Sequence, residues 1–349
     1  MKKVNPVRII SKDNPSTKKR GAISNGVKAL VLLSGGLDSM LAVKLLQEQG
    51  VEVTGLSFIS CFFGAGKAEV AVKQLGIKLK KVDFKIEHLK MTKNPKYGYG
   101  KNANPCIDCH SLMLRYAGEL EGYDFIATGE VLGQRPMSQN KNALTTVAKY
   151  SGLNDKLLRP LSAKLLPETE IEKKGLVDRN KLLDISGRSR TRQTELATKY
   201  NLKYPSPAGG CLLTDPNFSE RLLEMFKRWP DCKSEDIELL KYGRIFWANK
   251  TLIVVGRDKE DNEALEKLAK KGDATMELVD VNGPLTLIRN VPYQISNIKL
   301  EIPKKLDVDK LKLDEISGEK GIIETAGLLT GWYAPKAREK NIKLNINYK

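Results

Sequence analysis

The chain has 349 residues, more than one average domain of ~150 residues accounts for, so two or three domains are expected. Fifty-nine Lys and Arg against 42 Asp and Glu leave a formal charge of +17, which points to a polyanionic partner, nucleic acid first. Hydrophobic residues at 41% and charged residues at 29% suit ordinary cores and exclude global disorder. No long uncharged apolar run reads as a membrane span, and no apolar stretch behind the first lysines reads as a secretory signal. Five cysteines are too few and too unevenly spaced for a secreted disulfide scaffold, so metal binding or catalysis is their expected use. A basic cytoplasmic protein with no membrane association is expected.

Residues 1–27 read as a basic arm. Lys2, Lys3, Arg8, Lys12, Lys18, Lys19 and Arg20 face Asp13 alone, and Pro6, Pro15 and Gly21 interrupt any regular element. Such an arm is either a solvated tail or a segment that tracks a phosphate backbone. From Ala29 the pattern turns α/β. The apolar run Ala29–Leu33 predicts a buried strand ending in Ser34-Gly35-Gly36, and a helix follows from Leu37, with Gly50 as its stop. Further strands are predicted over 51–58, 79–84 and 124–128, with helices over 68–75 and 112–120 between them. Alternation of this kind implies a doubly wound parallel sheet with ligands at the C-terminal ends of its strands. Residues 160–203 read as mostly helical, and Tyr204–Cys211 as a loop crowded with Pro and Gly. A second, smaller α+β unit is predicted from about residue 216. It carries helices over 219–228 and 262–271, a strand over 251–255, a last helix over 321–339 and an edge strand over 342–347.

Ser34-Gly35-Gly36-Leu37-Asp38-Ser39 is the strongest local signal. A strand, a Gly-Gly turn and a helix start bring backbone N–H groups and the positive end of a helix dipole to one place, with the Ser34 and Ser39 hydroxyls as added donors. A carboxylate beside phosphates calls for a cation between them, so Asp38 is a candidate Mg²⁺ partner. The loop is not a Walker loop, since no G-x-x-x-x-G-K-[ST] occurs.

S-G-G-L-D-S after a buried strand resembles the PP-loop of ATP pyrophosphatases, which have an adenine nucleotide alpha hydrolase-like fold. These enzymes cleave ATP between the α- and β-phosphates and adenylate a substrate oxygen. The resemblance implies that Ser34, Gly35, Gly36, Leu37, Asp38 and Ser39 hold the nucleotide, that Phe58 lies near the adenine, and that Ala127-Thr128-Gly129 forms a second nucleotide turn.

The cysteines leave more open. Cys106-Ile107-Asp108-Cys109 is a C-x-x-C, and Gly209-Gly210-Cys211 follows far along the chain. Read alone, the pair could be a zinc half-site or a redox pair, while three thiolates without a convincing fourth ligand suit a cluster with one open iron or a sulfur relay. Combined with the loop, Asn104-Pro105-Cys106-x-x-Cys109 ahead of a helix and the late Gly-Gly-Cys resemble tRNA thiouridine synthetases of the ThiI and MnmA type. That resemblance implies a tRNA sulfurtransferase that adenylates a uridine carbonyl and replaces its oxygen with sulfur, giving 4-thiouridine or 2-thiouridine. Asp38, Cys109 and Cys211 are its implied catalytic residues. Cys106, Cys109 and Cys211 are the implied ligands of a [4Fe–4S] cluster, with a persulfide on Cys211 resolved by Cys109 as the other route. ATP, Mg²⁺, tRNA and a sulfide or persulfide donor are the implied cofactors and partners, with oligomeric state left open. Cys61 and Cys232 read as small buried residues, and His88 and His110 as structural or surface positions.

Two departures from the pattern stand out. His110 replaces the Asn that follows the second cysteine in relatives, and the arm is too short for the THUMP domain of typical ThiI enzymes. The order Tyr242-Gly243-Arg244, Val255-Gly256-Arg257-Asp258, Glu324-Thr325-Ala326-Gly327 and Trp332-Tyr333 is similar to the NFACT-R domain, which implies that residues 216–349 bind RNA. Residues 28–215 then form the thiolation domain. The competing readings are a non-catalytic RNA-binding protein of translation or ribosome quality control whose loop senses nucleotide, and a deazaguanine nitrile synthase. The lack of a compact zinc cluster speaks against the latter.

Overall fold

The computed structural model describes residues 8–9, 26–206, 210–291, 297–316 and 318–349. Most of the predicted arm, and Pro207, Ala208 and Gly209 of the predicted loop, lie outside the described residues. The chain divides into two units, 1–216 and 217–349.

The first unit is built on strands β1 (Arg8–Ile9), β2 (Lys28–Leu32), β3 (Glu52–Ile59), β4 (Lys78–Asp83), β5 (Phe125–Thr128) and β6 (Leu157–Leu158). They run β1-β4-β3-β2-β5-β6 across one sheet. The last five are mutually parallel, whereas β1 pairs antiparallel to β4 with Arg8 opposite Asp83. The edge strand β1 corrects the expectation of an arm without regular structure. Between the strands lie helices α1 (Leu37–Gln47), α2 (Gly66–Leu75), α3 (Lys85–Lys93), α4 (Cys106–Gly118) and α5 (Lys141–Ser151), followed by α6 (Glu170–Lys173) and α7 (Thr191–Lys199).

Helices cover both faces, as the continuous apolar character of β2 requires. Ala29 and Val31 face a core with Met40, Leu41 and Val43 of α1, while Leu30 joins Leu56, Phe58, Phe84 and Leu114 on the other side. Strand order reverses between β2 and β5. At such a switch point the loops after the two strands diverge to opposite faces and leave a crevice, and Leu32 is in register with Thr128 at its floor.

Two expectations are corrected here. Residues 160–203 hold the short α6 and α7 and two single 3-10 turns, Ala163–Leu165 and Arg179–Lys181, because Pro160 and Pro167, and Gly175 and Gly187 at φ 67° and 82°, break the stretch repeatedly. Helix α4 starts at Cys106, not near residue 112, so the C-x-x-C is its first turn and does not precede it.

The second unit contains α8 (Pro216–Arg228), α9 (Ser234–Leu239), β7 (Arg244–Ala248), β8 (Thr251–Val255), α10 (Lys259–Leu268), β9 (Asp273–Leu278), β10 (Thr286–Arg289), β11 (Asn297–Glu301), α11 (Glu319–Trp332) and β12 (Asn341–Tyr348). Its sheet runs β11-β12-β9-β10-β8-β7 and every pairing is antiparallel. Helix α11 stops at Trp332, short of the predicted 339, with Pro335 just beyond it. Strand β12 lies between β11 and β9 and is not an edge. Its alternation of buried Ile342, Leu344 and Ile346 with exposed residues records one wet face of the sheet, not a missing neighbour.

Candidate functional site

The loop after β2 enters α1 through Gly36, which has φ −80° and ψ 159° and no side-chain cap. The positive end of the helix dipole is therefore left to an external anion. Ser39 Oγ donates to the Gly36 carbonyl at 2.8 Å and lies 3.3 Å from Ser34 Oγ, which also accepts from Gly36 N–H at 3.3 Å. Leu37 is buried, so only its backbone can serve a ligand.

Two glycines hold the crevice together. Gly35 has φ +78°, and a Cβ there would overlap the Lys67 carbonyl at the start of α2. Gly129, just past β5, lies so close to the first turn of α1 that a Cβ would come within 2.5 Å of the Asp38 carbonyl carbon and Ser39 nitrogen. The structure thus brings Gly129 to the loop. Phe58 lies on β3 with its ring buried beside Phe84 at 4.9 Å and Tyr116 at 6.4 Å.

Asp38 Oδ2 accepts from Gln134 Nε2 at 3.0 Å and lies 3.6 Å from Arg190 Nη2, while Asp38 Oδ1 and Gln134 Oε1 are buried without a partner. Two orphaned oxygens beside a phosphate-type loop suit a hard cation. Gln134 and Arg190 carry no motif, and only the chain's return to the crevice reveals them.

Cys106 and Cys109 stand one turn apart on α4. Cys106 Sγ accepts from Asn104 Nδ2 at 3.4 Å. Cys211, far along the chain, joins them. Its loop is tied back by Leu212 N–H donating to the Phe62 carbonyl at 3.1 Å and by Asn102 Nδ2 donating to the Thr214 carbonyl at 2.7 Å. Burial pushes the Cys109 thiol well up, and Cys211, Cys106 and Asp108 push it further. The Cys211 thiol is raised to about 11, mostly by burial, with Cys106 adding to the rise and Arg135 opposing it. Three buried thiols close enough to raise one another are disfavoured as three bare thiolates. Among the described residues no group of three His, Cys, Asp or Glu side chains could hold a single metal ion. Cys61 and Cys232 are buried.

Lys67 links the two halves of the site. Its backbone packs against Gly35, and its Nζ is 4.0 Å from where a Gly210 Cβ would stand, next to Cys211. Both histidines also lie here. His88 is fully buried, its pKa lowered to about 3 by burial, and its Nε2 is 3.1 Å from Cys109 Sγ. His110 Nδ1 meets Glu130 Oε1 at 2.9 Å, and Arg159 Nε donates to Glu130 Oε2 at 2.8 Å. Burial alone would raise the Glu130 carboxyl, but the Arg159 charge and the His110 hydrogen bond hold it well below the usual carboxylate range. No spacing in the chain points to His88, Glu130 or Arg159 as site residues.

In the second unit, arginines lie over half-exposed aromatic rings: Arg244 is 4.2 Å from the Tyr333 centroid and Arg338 is 4.1 Å from that of Trp332.

Comparison with known proteins agrees with both resemblances. Residues 24–173 match the family model described as thiamine biosynthesis protein (ThiI), and residues 243–301 match the NFACT protein RNA binding domain. The tRNA-specific 2-thiouridylase MnmA of Mannheimia succiniciproducens is 30% identical over 136 residues, 34% of this chain and 35% of that protein. The MnmA of Syntrophomonas wolfei is 37% identical over 112 residues, 30% of this chain and 33% of its own length. The chain thus spans about a third of the curated relatives it matches. A crystal structure of a 4-thiouridine synthetase–RNA complex with bound ATP aligns at 20% identity and a TM-score of 0.36, over 61% of this chain and 52% of that one. The segment around the nucleotide loop is related to ThiI and MnmA, and residues 243–301 of the second unit resemble the NFACT family.

Proposed function

We propose that the protein is an ATP-dependent tRNA sulfurtransferase of the cytoplasm, with residues 28–215 as the thiolation domain and residues 216–349 as the RNA-binding domain. The observation that carries this reading is the meeting of Cys106, Cys109 and Cys211 beside the nucleotide loop, with Lys67 against both Gly35 and Gly210. A nucleotide site alone would serve many reactions. A nucleotide site within one lysine of three thiols serves activation of an oxygen followed by its replacement with sulfur.

The chemistry requires that order. A uridine carbonyl oxygen leaves poorly, whereas its adenylate leaves as AMP. The uridine oxygen attacks the α-phosphorus and pyrophosphate departs. Sulfur then adds to the activated carbon, and the C–O bond breaks with AMP taking the electron pair. Ser34, Ser39 and the first turn of α1 bind the phosphates, and Gly129 keeps β5 against that turn. Asp38, with its orphaned Oδ1, would hold Mg²⁺, which supplies neutralisation of phosphate charge.

Three cysteines without a fourth protein ligand are the donor set of a [4Fe–4S] cluster that keeps one iron open. Bound by Cys106, Cys109 and Cys211, it would supply an open iron for hydrosulfide. The persulfide route uses the same residues: sulfur carried on Cys211 passes to the carbon, and Cys109 resolves the Cys211 linkage as a disulfide.

The test is nucleoside mass spectrometry of unmodified tRNA after anaerobic incubation with protein, Mg-ATP and, in separate reactions, sulfide or a persulfide donor. An ATP-dependent thiouridine peak is expected, and its retention time separates 2-thio from 4-thio. AMP without thiouridine sinks the reading of uridine as acceptor. RNA binding with neither product favours the quality-control reading, to which the NFACT-type segment lends support.

A further inference from the structure

His88 is one of two histidines in the chain, and nothing in the nucleotide chemistry uses it. Its ring is walled in by Phe84, stacked at 4.7 Å, and by Phe62 and Phe63 edge-on at 5.5 and 5.4 Å. Both ring nitrogens nevertheless meet polar atoms. Nδ1 is 3.1 Å from Ser60 Oγ, and Nε2 is 3.1 Å from Cys109 Sγ. Every imidazole carries a proton on at least one ring nitrogen, and that nitrogen can only donate.

Hydrogen accounting decides which nitrogen that is. Phe62 N–H donates to Ser60 Oγ at 2.9 Å, and a backbone N–H can only donate. Among the described residues the other partner of that hydroxyl is His88 Nδ1, so the Ser60 proton is satisfied only when given to Nδ1. The imidazole proton is then on Nε2, aimed at Cys109. We infer that His88 is a positioning residue for the sulfur chemistry: Ser60 fixes its tautomer, and its Nε2–H donates to the Cys109 sulfur. The chain of donors from Phe62 through Ser60 and His88 to Cys109 runs one way, so each bond polarises the next. It favours a Cys109 sulfur that accepts, as a thiolate or iron-bound sulfur does, and offers nothing to an S–H proton. The role rests on the proposed sulfurtransferase reading, whereas the tautomer rests on geometry alone.

Two histidines make the test tractable, since ¹⁵N-histidine labelling of the full chain gives two imidazoles in a long-range ¹H–¹⁵N correlation spectrum. The His88 signals, identified by their loss in His88→Gln, are expected to show a protonated Nε2 and a bare Nδ1, and Ser60→Ala is expected to abolish this fixed pattern. A proton on Nδ1 in the wild type, or a pattern indifferent to Ser60→Ala, overturns the inference. For the role, thiouridine formation is compared in two variants that retain ATP binding. His88→Gln keeps an N–H donor and is expected within about 10-fold of wild type, whereas His88→Leu falls about 100-fold, the range seen when a supporting hydrogen bond to a reactive or metal-bound group is removed. Wild-type rates in His88→Leu overturn the role. A wild type that makes no thiouridine sinks the sulfurtransferase reading instead, and the tautomer measurement still stands. Should His88→Leu fail to fold, the wild-type and Ser60→Ala spectra decide.

Discussion

At the residue scale, steric closeness separates the glycines that the site needs from those it does not. Gly129→Ala places a methyl within 2.5 Å of the α1 backbone, and neither β5 nor the helix can yield without shifting the nucleotide loop. ATP affinity, read by calorimetry, should fall at least about 10-fold, an overpacking cost of ~1–3 kcal/mol. Gly66 has open space around it, so Gly66→Ala should leave that affinity unchanged. Asp38→Asn and Cys211→Ser should each abolish thiouridine formation while tRNA binding, followed by gel shift, persists. Glu130 contributes to stability. Its folded carboxyl lies below the ordinary value, so its contribution is present above pH ~4.5 and is lost as pH falls toward the folded value. Glu130→Gln should therefore flatten the acid limb of a urea-stability profile below pH ~4.5. At neutral pH it should cost about 3 kcal/mol, because Arg159 is left as an uncompensated buried charge.

At the element scale, the start of α4 shows why the C-x-x-C serves a shared site. Three residues of helix carry the chain most of a turn, so Cys106 and Cys109 lie on neighbouring faces and approach Cys211 together. Asp108, between them, is turned to a different task and accepts the Lys96 and Tyr97 N–H groups at 3.1 and 2.9 Å. In the second unit α11 packs through Gly327 and Gly331 onto β11 and β12, where a Cβ on Gly327 would come within 2.6 Å of Ile298. Gly327→Val should push the helix off the sheet and lower the melting temperature by several degrees, an overpacking cost of ~1–3 kcal/mol. A thermal scan that leaves it unchanged would show that the interface has slack.

At the scale of the whole molecule, the excess of 17 positive charges predicts strongly salt-dependent RNA binding. The logarithm of affinity should fall linearly with the logarithm of salt, with a slope of ~0.7–0.9 for each phosphate that a lysine or arginine neutralises. Replacing Lys18, Lys19 and Arg20 with Gln should reduce that slope by up to about 2–3 if the arm follows a phosphate backbone, and not at all if it is a solvated tail. The second unit has its own closed core of Ile253, Ile288, Ile323, Leu329 and Leu344, so residues 217–349 alone should unfold in one cooperative transition.

Patterns confined to neighbouring residues were legible in the chain: the apolar runs of β2 and β5, the Ser34–Ser39 loop between strand and helix, and the C-x-x-C. Each is a local statement about backbone freedom, burial or spacing, and local physics suffices to read it. Strand register and side-chain meetings are set by long-range packing, and there the sequence alone was silent or misleading. Alternation made β12 look like an edge, because a wet face and a missing partner leave the same pattern. Gln134 and Arg190 reach Asp38, and Ser60 holds His88 against Cys109, across separations that carry no periodic signal. The sequence by itself determined that a phosphate loop and three thiols exist in this protein. Only the tertiary structure, by reversing strand order between β2 and β5 and folding the Cys211 loop back onto Phe62, decided that they share one site.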